Sequence, residues 1–320
     1  MNIEMIRAAG ERLKGHARHT PLLSSPFLDQ IAGRRVLVKP ECLQHTGSFK
    51  YRGARSAISA LEPALRAQGV IAFSSGNHAQ GVALAAQDFG TSAVIIMPAD
   101  APALKIENTR ALGAEVVLYD RATEDRDALG AQLAAERQLT LIKPFDNAQV
   151  IAGQASVGLE IAADLPDTTG EVLVPCGGGG LTSGVALALE ANAPGLRVRP
   201  VEPEGFDDVA RSLTSGRIER NATSAGGLCD AIITPSPGEM TFPILSRLCG
   251  PGLVVSDAEA QRAMALAFQR LKLVVEPGGA VALAAALFHG ESLAGDTVVA
   301  VLSGGNVDVP VFTRALQDYG

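Results

Sequence analysis

Four short segments hold residue types whose order could do chemistry. In Thr46-Gly47-Ser48-Phe49-Lys50-Tyr51-Arg52-Gly53, one lysine stands among small residues directly after an aromatic. A lysine that forms a Schiff base needs a lowered amine pKa and a slot for a flat cofactor, and Phe49 could lie beside such a ring. Taken alone, a lysine here reads better as a surface lysine before a helix. Ser74-Ser75-Gly76-Asn77-His78-Ala79-Gln80-Gly81 ends an apolar run and opens an amphipathic one. Free N–H groups at a helix start favour an anion such as a substrate carboxylate, with Asn77 and the serines as short polar arms, though Ser and Asn are also ordinary caps. Pro175-Cys176-Gly177-Gly178-Gly179-Gly180-Leu181 carries four consecutive glycines. Such a run lets backbone N–H groups wrap a phosphate, and it is entropically costly for a mere turn. Its spacing is neither GxGxxG nor GxxxxGK[ST], which weakens dinucleotide and nucleoside-triphosphate readings. The fourth segment is Leu302-Ser303-Gly304-Gly305-Asn306, in which Ser303 could hydrogen-bond a heteroaromatic nitrogen.

The elements that must position these segments alternate short apolar runs with longer amphipathic ones. Strands are expected at Val36–Lys39, Val70–Ser74, Ser92–Met97, Glu115–Tyr119, Thr140–Lys143, Glu171–Val174, Arg197–Val201 and Thr297–Leu302. Helices are expected at Asn77–Phe89, Ala103–Leu112, Thr123–Arg137, Val150–Ala163, Thr182–Ala193, Asp207–Ser215 and Asp257–Leu271. Ser256, with Glu259 three residues on, has the pattern of a capping box. This alternation predicts an α/β protein with open, mostly parallel sheets covered by helices. Each chemical segment then falls where a strand ends, the side on which open α/β sheets bind ligands. No linker or repeat divides the chain, but one lobe can be inserted in another. A large domain is expected over 1–52 and 148–320, and a small one over 53–147.

The 320 residues are 47% hydrophobic and 19% charged, ordinary globular usage. A net charge of -7 argues against a general nucleic-acid binder. The four cysteines form no CxxC pair, so reduced thiols are expected rather than a zinc site or a disulfide framework. The charged N-terminal stretch lacks the apolar core of a signal peptide, and no apolar run is long enough to span a bilayer. A cytoplasmic enzyme is the expectation, and a homodimer follows from the prevalence of two-fold assemblies.

Together the four segments resemble, in order and spacing, the fold-type II pyridoxal-phosphate enzymes of the serine/threonine dehydratase and serine racemase family, over nearly the whole chain. The resemblance implies a two-domain fold like that of the tryptophan synthase β-subunit and pyridoxal 5'-phosphate as cofactor. It implies Lys50 as the Schiff-base lysine, Phe49 against the ring, Asn77 on the ring hydroxyl, Gly177, Gly178, Gly179 and Gly180 around the phosphate, and Ser303 on the pyridine nitrogen. Ser75 would be the acid/base on the ring face opposite Lys50. The lysine segment is similar to the dehydratase form rather than to that of cysteine synthases. One departure is Ala152-Gly153-Gln154-Ala155-Ser156, where the family usually has Ala-Gly-Gln-Gly-Thr; altered packing is expected there, not lost chemistry. Glu202-Pro203-Glu204-Gly205-Phe206-Asp207-Asp208 resembles the family's divalent-cation loop. Glu202 and Asp208 would give carboxylate oxygens and Phe206 its carbonyl, a hard set suited to Mg²⁺, Mn²⁺ or Ca²⁺. The bland alternative is an acidic helix start.

The implied activity is β-elimination from a small β-hydroxy-α-amino acid, giving keto acid, ammonia and water. Lys50 removes the α-proton, and a neutral Ser303 favours loss of a β-leaving group over transamination. The substrate carboxylate is expected at Ser74, Ser75, Gly76, Asn77 and His78. Serine, threonine and 3-hydroxyaspartate stay open; the last needs donors for a second carboxylate, for which His45 and, by family resemblance, Arg126 are candidates. Glu276 reads equally as a group below the ring and as a helix-start acid. With little chain after Ser303, no regulatory domain is expected, which favours catabolism. The alternatives are a racemase on the same scaffold, a non-catalytic amino-acid-binding protein and, on the glycine run alone, a nucleotide-binding oxidoreductase.

Overall fold

In a computed structural model, residues 1–74, 76–101, 103–120, 122–223 and 226–320 are described. Among the described residues, ten strands form two sheets: β1 (Leu23–Ser24), β2 (Arg35–Pro40), β3 (Val70–Phe73), β4 (Ala93–Pro98), β5 (Glu115–Tyr119), β6 (Thr140–Leu141), β7 (Gly170–Pro175), β8 (Leu196–Pro203), β9 (Leu253–Val255) and β10 (Thr297–Leu302). The larger sheet has the order β1-β2-β10-β7-β8-β9 and the smaller β5-β4-β3-β6. All pairs are parallel except β1 with β2. Central strands are buried throughout, as at residues 298–302 and 172–175, which is expected of a sheet covered on both faces.

The expected strands all form, with ends shifted by a residue or two. Missed were β1 and β9, too short to show periodicity. The expected helix Val150–Ala163 is two, Ala148–Gln154 and Ser156–Asp164, meeting at Ala155. The helix expected from Thr123 starts at Arg126, because the Asp125 side chain accepts from the N–H groups of Asp127 and Ala128 and so sets the cap. The capping box at Ser256 and Glu259 is present. The four cysteines are unpaired.

The smaller sheet comes entirely from residues 70–141, and the larger from the chain on either side. The helix Lys50–Ser59 runs across residue 53 and packs on both Asn77–Asp88 and Ala148–Gln154. Its contacts are backbone-close. A Cβ on Gly153 would strike the Arg52 carbonyl, and one on Gly81 would lie 3.0 Å from the Lys50 carbonyl carbon. Arg52 anchors this helix inside the molecule. It donates to Glu41 (2.7 and 2.8 Å), to Glu160 (2.6 and 3.0 Å) and to the Ser156 hydroxyl (3.1 Å). Lys39 completes the cluster with a bond to Glu160 at 2.6 Å. Thus Ser156, at the departure from the family's usual segment, holds the arginine two residues beyond Lys50.

Candidate active site

Lys50 opens its helix, with Phe49 as the cap residue and the lysine Nζ 5.1 Å from the Phe49 ring centre. Backbone pairing stitches this segment to the last strand's exit: the N–H of Phe49 donates to the Ser303 carbonyl (3.1 Å), and that of Gly305 to Gly47 (2.9 Å). Lysine and serine, far apart in sequence, therefore share one wall. Lys50 Nζ donates to the Pro144 carbonyl at 3.0 Å. Burial lowers its pKa to about 8, against a smaller upward pull from Glu276. The lowering gives a neutral fraction that grows as pH rises toward that value, and the neutral amine is what imine formation and proton abstraction both need.

Opposite stands the tetraglycine turn, after β7 and at the start of the helix Gly180–Asn192. Gly179 has φ 90°, a left-handed conformation suited to glycine. A Cβ on Gly178 would run into the Phe145 ring, one on Gly177 would sit 2.9 Å from the Ile232 carbonyl, and one on Gly180 would sit 2.7 Å from Gln154 Oε1. The Gly178 carbonyl is turned away, accepting from the Thr241 hydroxyl (2.7 Å) and the Gly238 N–H (3.2 Å). Among the described residues no backbone partner is found for the N–H groups of Gly178, Gly179 or Gly180. The Gln154 amide, lining the same space, is buried with neither its oxygen nor its nitrogen paired. Unpaired donors at a helix start, in a cradle that side chains would fill, fit a phosphate.

Lys50, the glycine turn and Ser303 line a single cavity of about 330 Å³. Phe49, Ser74, Gly76, Asn77 and His78 line it too. Asn77 is held from both ends: its Nδ2 donates to Glu276 Oε1 and its Oδ1 accepts from Asn306 Nδ2, each at 2.7 Å. Burial raises the Glu276 pKa to about 7, while the bond from Asn77 pulls it down. The Ser74 hydroxyl accepts from the Gly76 N–H at 3.2 Å. His78 Nε2 lies 2.8 Å from the Ile142 carbonyl and must donate to it. Burial, with help from Lys50, lowers the His78 pKa to about 3. The ring is therefore neutral, and its buried, unpaired Nδ1 is an acceptor. Ser75 lies outside the described residues.

His45 and Arg126 are not among the cavity-lining residues. His45 stacks edge-on against Tyr51; Arg126 is exposed, pairing with Asp127 and lying over the ring of Phe73, which itself lines the cavity. Sequence reasoning missed Phe145, Gln154, Lys105 and Asp230, which do line it; only Gln154 lay in a quoted motif.

At the other expected site, Glu202 is fully buried and its two oxygens accept from the N–H groups of Val209 (2.8 Å) and Ala210 (2.7 Å). Asp208 Oδ1 accepts from Asn221 (2.5 Å), while Oδ2 is buried without a partner. Burial raises the Asp208 pKa to about 6. Phe206 is nearly buried, its N–H donating to Pro203. Among the described residues no three His, Cys, Asp or Glu side chains form a metal-holding group, so a cation here would lean on carbonyl or water oxygens. No helix among the described residues is long and apolar enough to cross a membrane.

The family model for pyridoxal-phosphate dependent enzymes matches residues 13–304. An L-threo-3-hydroxyaspartate ammonia-lyase of Pseudomonas sp is 44% identical over 314 residues, covering 98% of each chain. A threonine deaminase structure from T.th. superposes with TM-score 0.90 at 46% identity, covering 96% of this chain and 99% of that one. The serine racemase structure from Dictyostelium discoideum gives TM-score 0.91 at 35% identity, covering 97% and 99%.

Proposed function

Since the chain belongs to the pyridoxal-phosphate dependent enzymes, we propose that it eliminates the β-hydroxyl of a small hydroxy-amino acid, releasing keto acid and ammonia. One observation carries the reading: an amine with a lowered pKa, a tetraglycine turn with unpaired N–H groups and a neutral serine hydroxyl share one cavity. Lys50 Nζ would hold the cofactor, the N–H groups of Gly177–Gly180 its phosphate, Phe49 its ring face, Asn77 its hydroxyl and Ser303 its ring nitrogen. When bound, the cofactor supplies an electron sink at the substrate's α-carbon.

The chain's own residues do the rest. Within the expected Ser74–His78 segment, the N–H groups of Asn77 and His78, first in their helix and without a backbone partner, would hold the substrate carboxylate. His78 contributes through its backbone, since its ring presents a lone pair. Lys50 Nζ takes the α-proton as general base. The β C–O bond then breaks and the hydroxyl departs with a proton as water. The released enamine tautomerises to an imine and hydrolyses. Ser303, being neutral, does not hold a proton on the ring nitrogen as a carboxylate would, which favours prompt loss of the β-group. Ser75 is assigned to the opposite face, where reprotonation would give racemisation; similarity to a serine racemase structure favours that as a second outcome.

The test is to assay L-serine, L-threonine and both 3-hydroxyaspartate diastereomers. Ammonia and keto acid without added nucleophile are expected; inverted amino acid alone would overturn elimination. Lys50→Ala should abolish turnover and the visible band of the loaded enzyme.

We further assign Glu202, Phe206 and Asp208 to a structural divalent cation, supported by the unpaired Asp208 Oδ2. Mg²⁺, Mn²⁺ or Ca²⁺ should raise the melting temperature, EDTA should reverse it, and Asp208→Asn should remove the response. A homodimer remains the proposed assembly.

A further inference from the structure

Lys105 and Asp230 face each other across the cavity mouth. Lys105 lies in the first turn of the helix Ala103–Ala111, beside the smaller sheet; Asp230 lies on the short turn Asp230–Ile232 of the other lobe. Their charges stand 3.7 Å apart, with the lysine side chain 20% exposed and the aspartate 68%. Such a half-solvated pair is weak, so the lysine exchanges partners at little cost. Among the described residues lining the cavity, the cationic side chains are Lys50 and Lys105, His78 being neutral. Lys50 is engaged at the reacting carbon. Lys105 and Asp230 both act electrostatically on Glu276, in opposite directions, so their fields reach the cavity floor. Asn108, one turn beyond Lys105, lines the same wall with an amide.

A monocarboxylic hydroxy-amino acid uses none of this. Its carboxylate is satisfied by the helix-start N–H groups, and Lys105 stays with Asp230. A second carboxylate in a partly dehydrated cavity is costly unless a cation meets it. We propose that Lys105 receives the distal carboxylate of a dicarboxylic hydroxy-amino acid, displacing Asp230, and so sets the substrate class toward 3-hydroxyaspartate. The inference rests on the cavity being the hydroxy-amino-acid site.

Binding tests it apart from turnover. L-Aspartate carries the second carboxylate and L-alanine lacks it, and neither has a β-hydroxyl to lose. Each is titrated into the cofactor-loaded enzyme and followed by the visible absorbance. Lys105→Met should raise the ratio of the L-aspartate Kd to the L-alanine Kd by about 10- to 100-fold, the loss expected for a charged hydrogen bond. Lys105→Arg should restore most of it. Asp230→Asn should move the ratio the other way, by removing the competing carboxylate. The retained visible band shows that each variant is folded and loaded. Failure of the wild-type enzyme to bind L-aspartate, or an unchanged ratio in Lys105→Met, would overturn the proposal. Absence of ammonia release from every hydroxy-amino acid would instead defeat the elimination reading and leave the binding ratio to be judged by itself.

Discussion

Glu276 presses its carboxyl against the Asn77 amide in a place water barely reaches, and burial holds its pKa at about 7. A carboxyl whose folded pKa is raised favours the folded state in its protonated form. It destabilises the fold progressively as pH rises from the ordinary value of 4.5, and in full above about 7. Glu276→Gln should therefore raise the melting temperature of the cofactor-free chain more at pH 8 than at pH 5.5, by a difference on the order of a few degrees. An equal effect at both pH values would show that the carboxyl is not held back by burial. Lys50 is the opposite case: an amine whose pKa falls to about 8 gains a neutral, nucleophilic population through that pH. Cofactor uptake by the cofactor-free chain, followed by the visible band, should quicken with pH through the same range. Of these residues Lys50 was legible because its neighbours in sequence are its neighbours in the site. The Asn77–Glu276–Asn306 set was not, since it joins three segments far apart in the chain.

At the scale of the element, the tetraglycine turn works because its backbone goes where no side chain fits. Gly178→Ala would drive a methyl into the Phe145 ring. It should weaken cofactor binding by at least about tenfold, and Phe145→Ala in the same chain should recover part of the loss. Titration of the cofactor-free variants measures both. The turn could be read from four glycines between a strand and a helix, because its geometry is local. Phe145 could not, since nothing in Pro144-Phe145-Asp146 says which turn it will cover. The junction at Ala155 was hidden for a related reason: apolar periodicity runs through both helices, and Ala155 itself keeps helical backbone angles (φ -60°, ψ -19°).

Across the whole molecule, the helix bearing Lys50 is held by a buried cluster of two cations and two anions, Lys39, Arg52, Glu41 and Glu160. Arg52→Met would strand Glu41 and Glu160 without their shared partner, at about 3–5 kcal/mol. The melting temperature should fall sharply, and the visible band of any folded fraction reports whether Lys50 keeps its place. This cluster ties β2, the Lys50–Ser59 helix and the Ser156–Asp164 helix into one body.

The amino-acid order alone determined the alternation of strands and helices, the family, the groups that sit at strand exits (Asn77, the glycine run and Ser303) and the lysine, Lys50, that opens its helix. Those features are local, since a turn's backbone and the residue beside it travel together. Tertiary structure decided which segments distant in sequence come face to face. It set Lys105 against Asp230, turned the His78 ring into an acceptor, and left His45 and Arg126 off the cavity wall. Which side of a helix looks into a cleft depends on the packing of the elements behind it, and no short stretch of sequence carries that information.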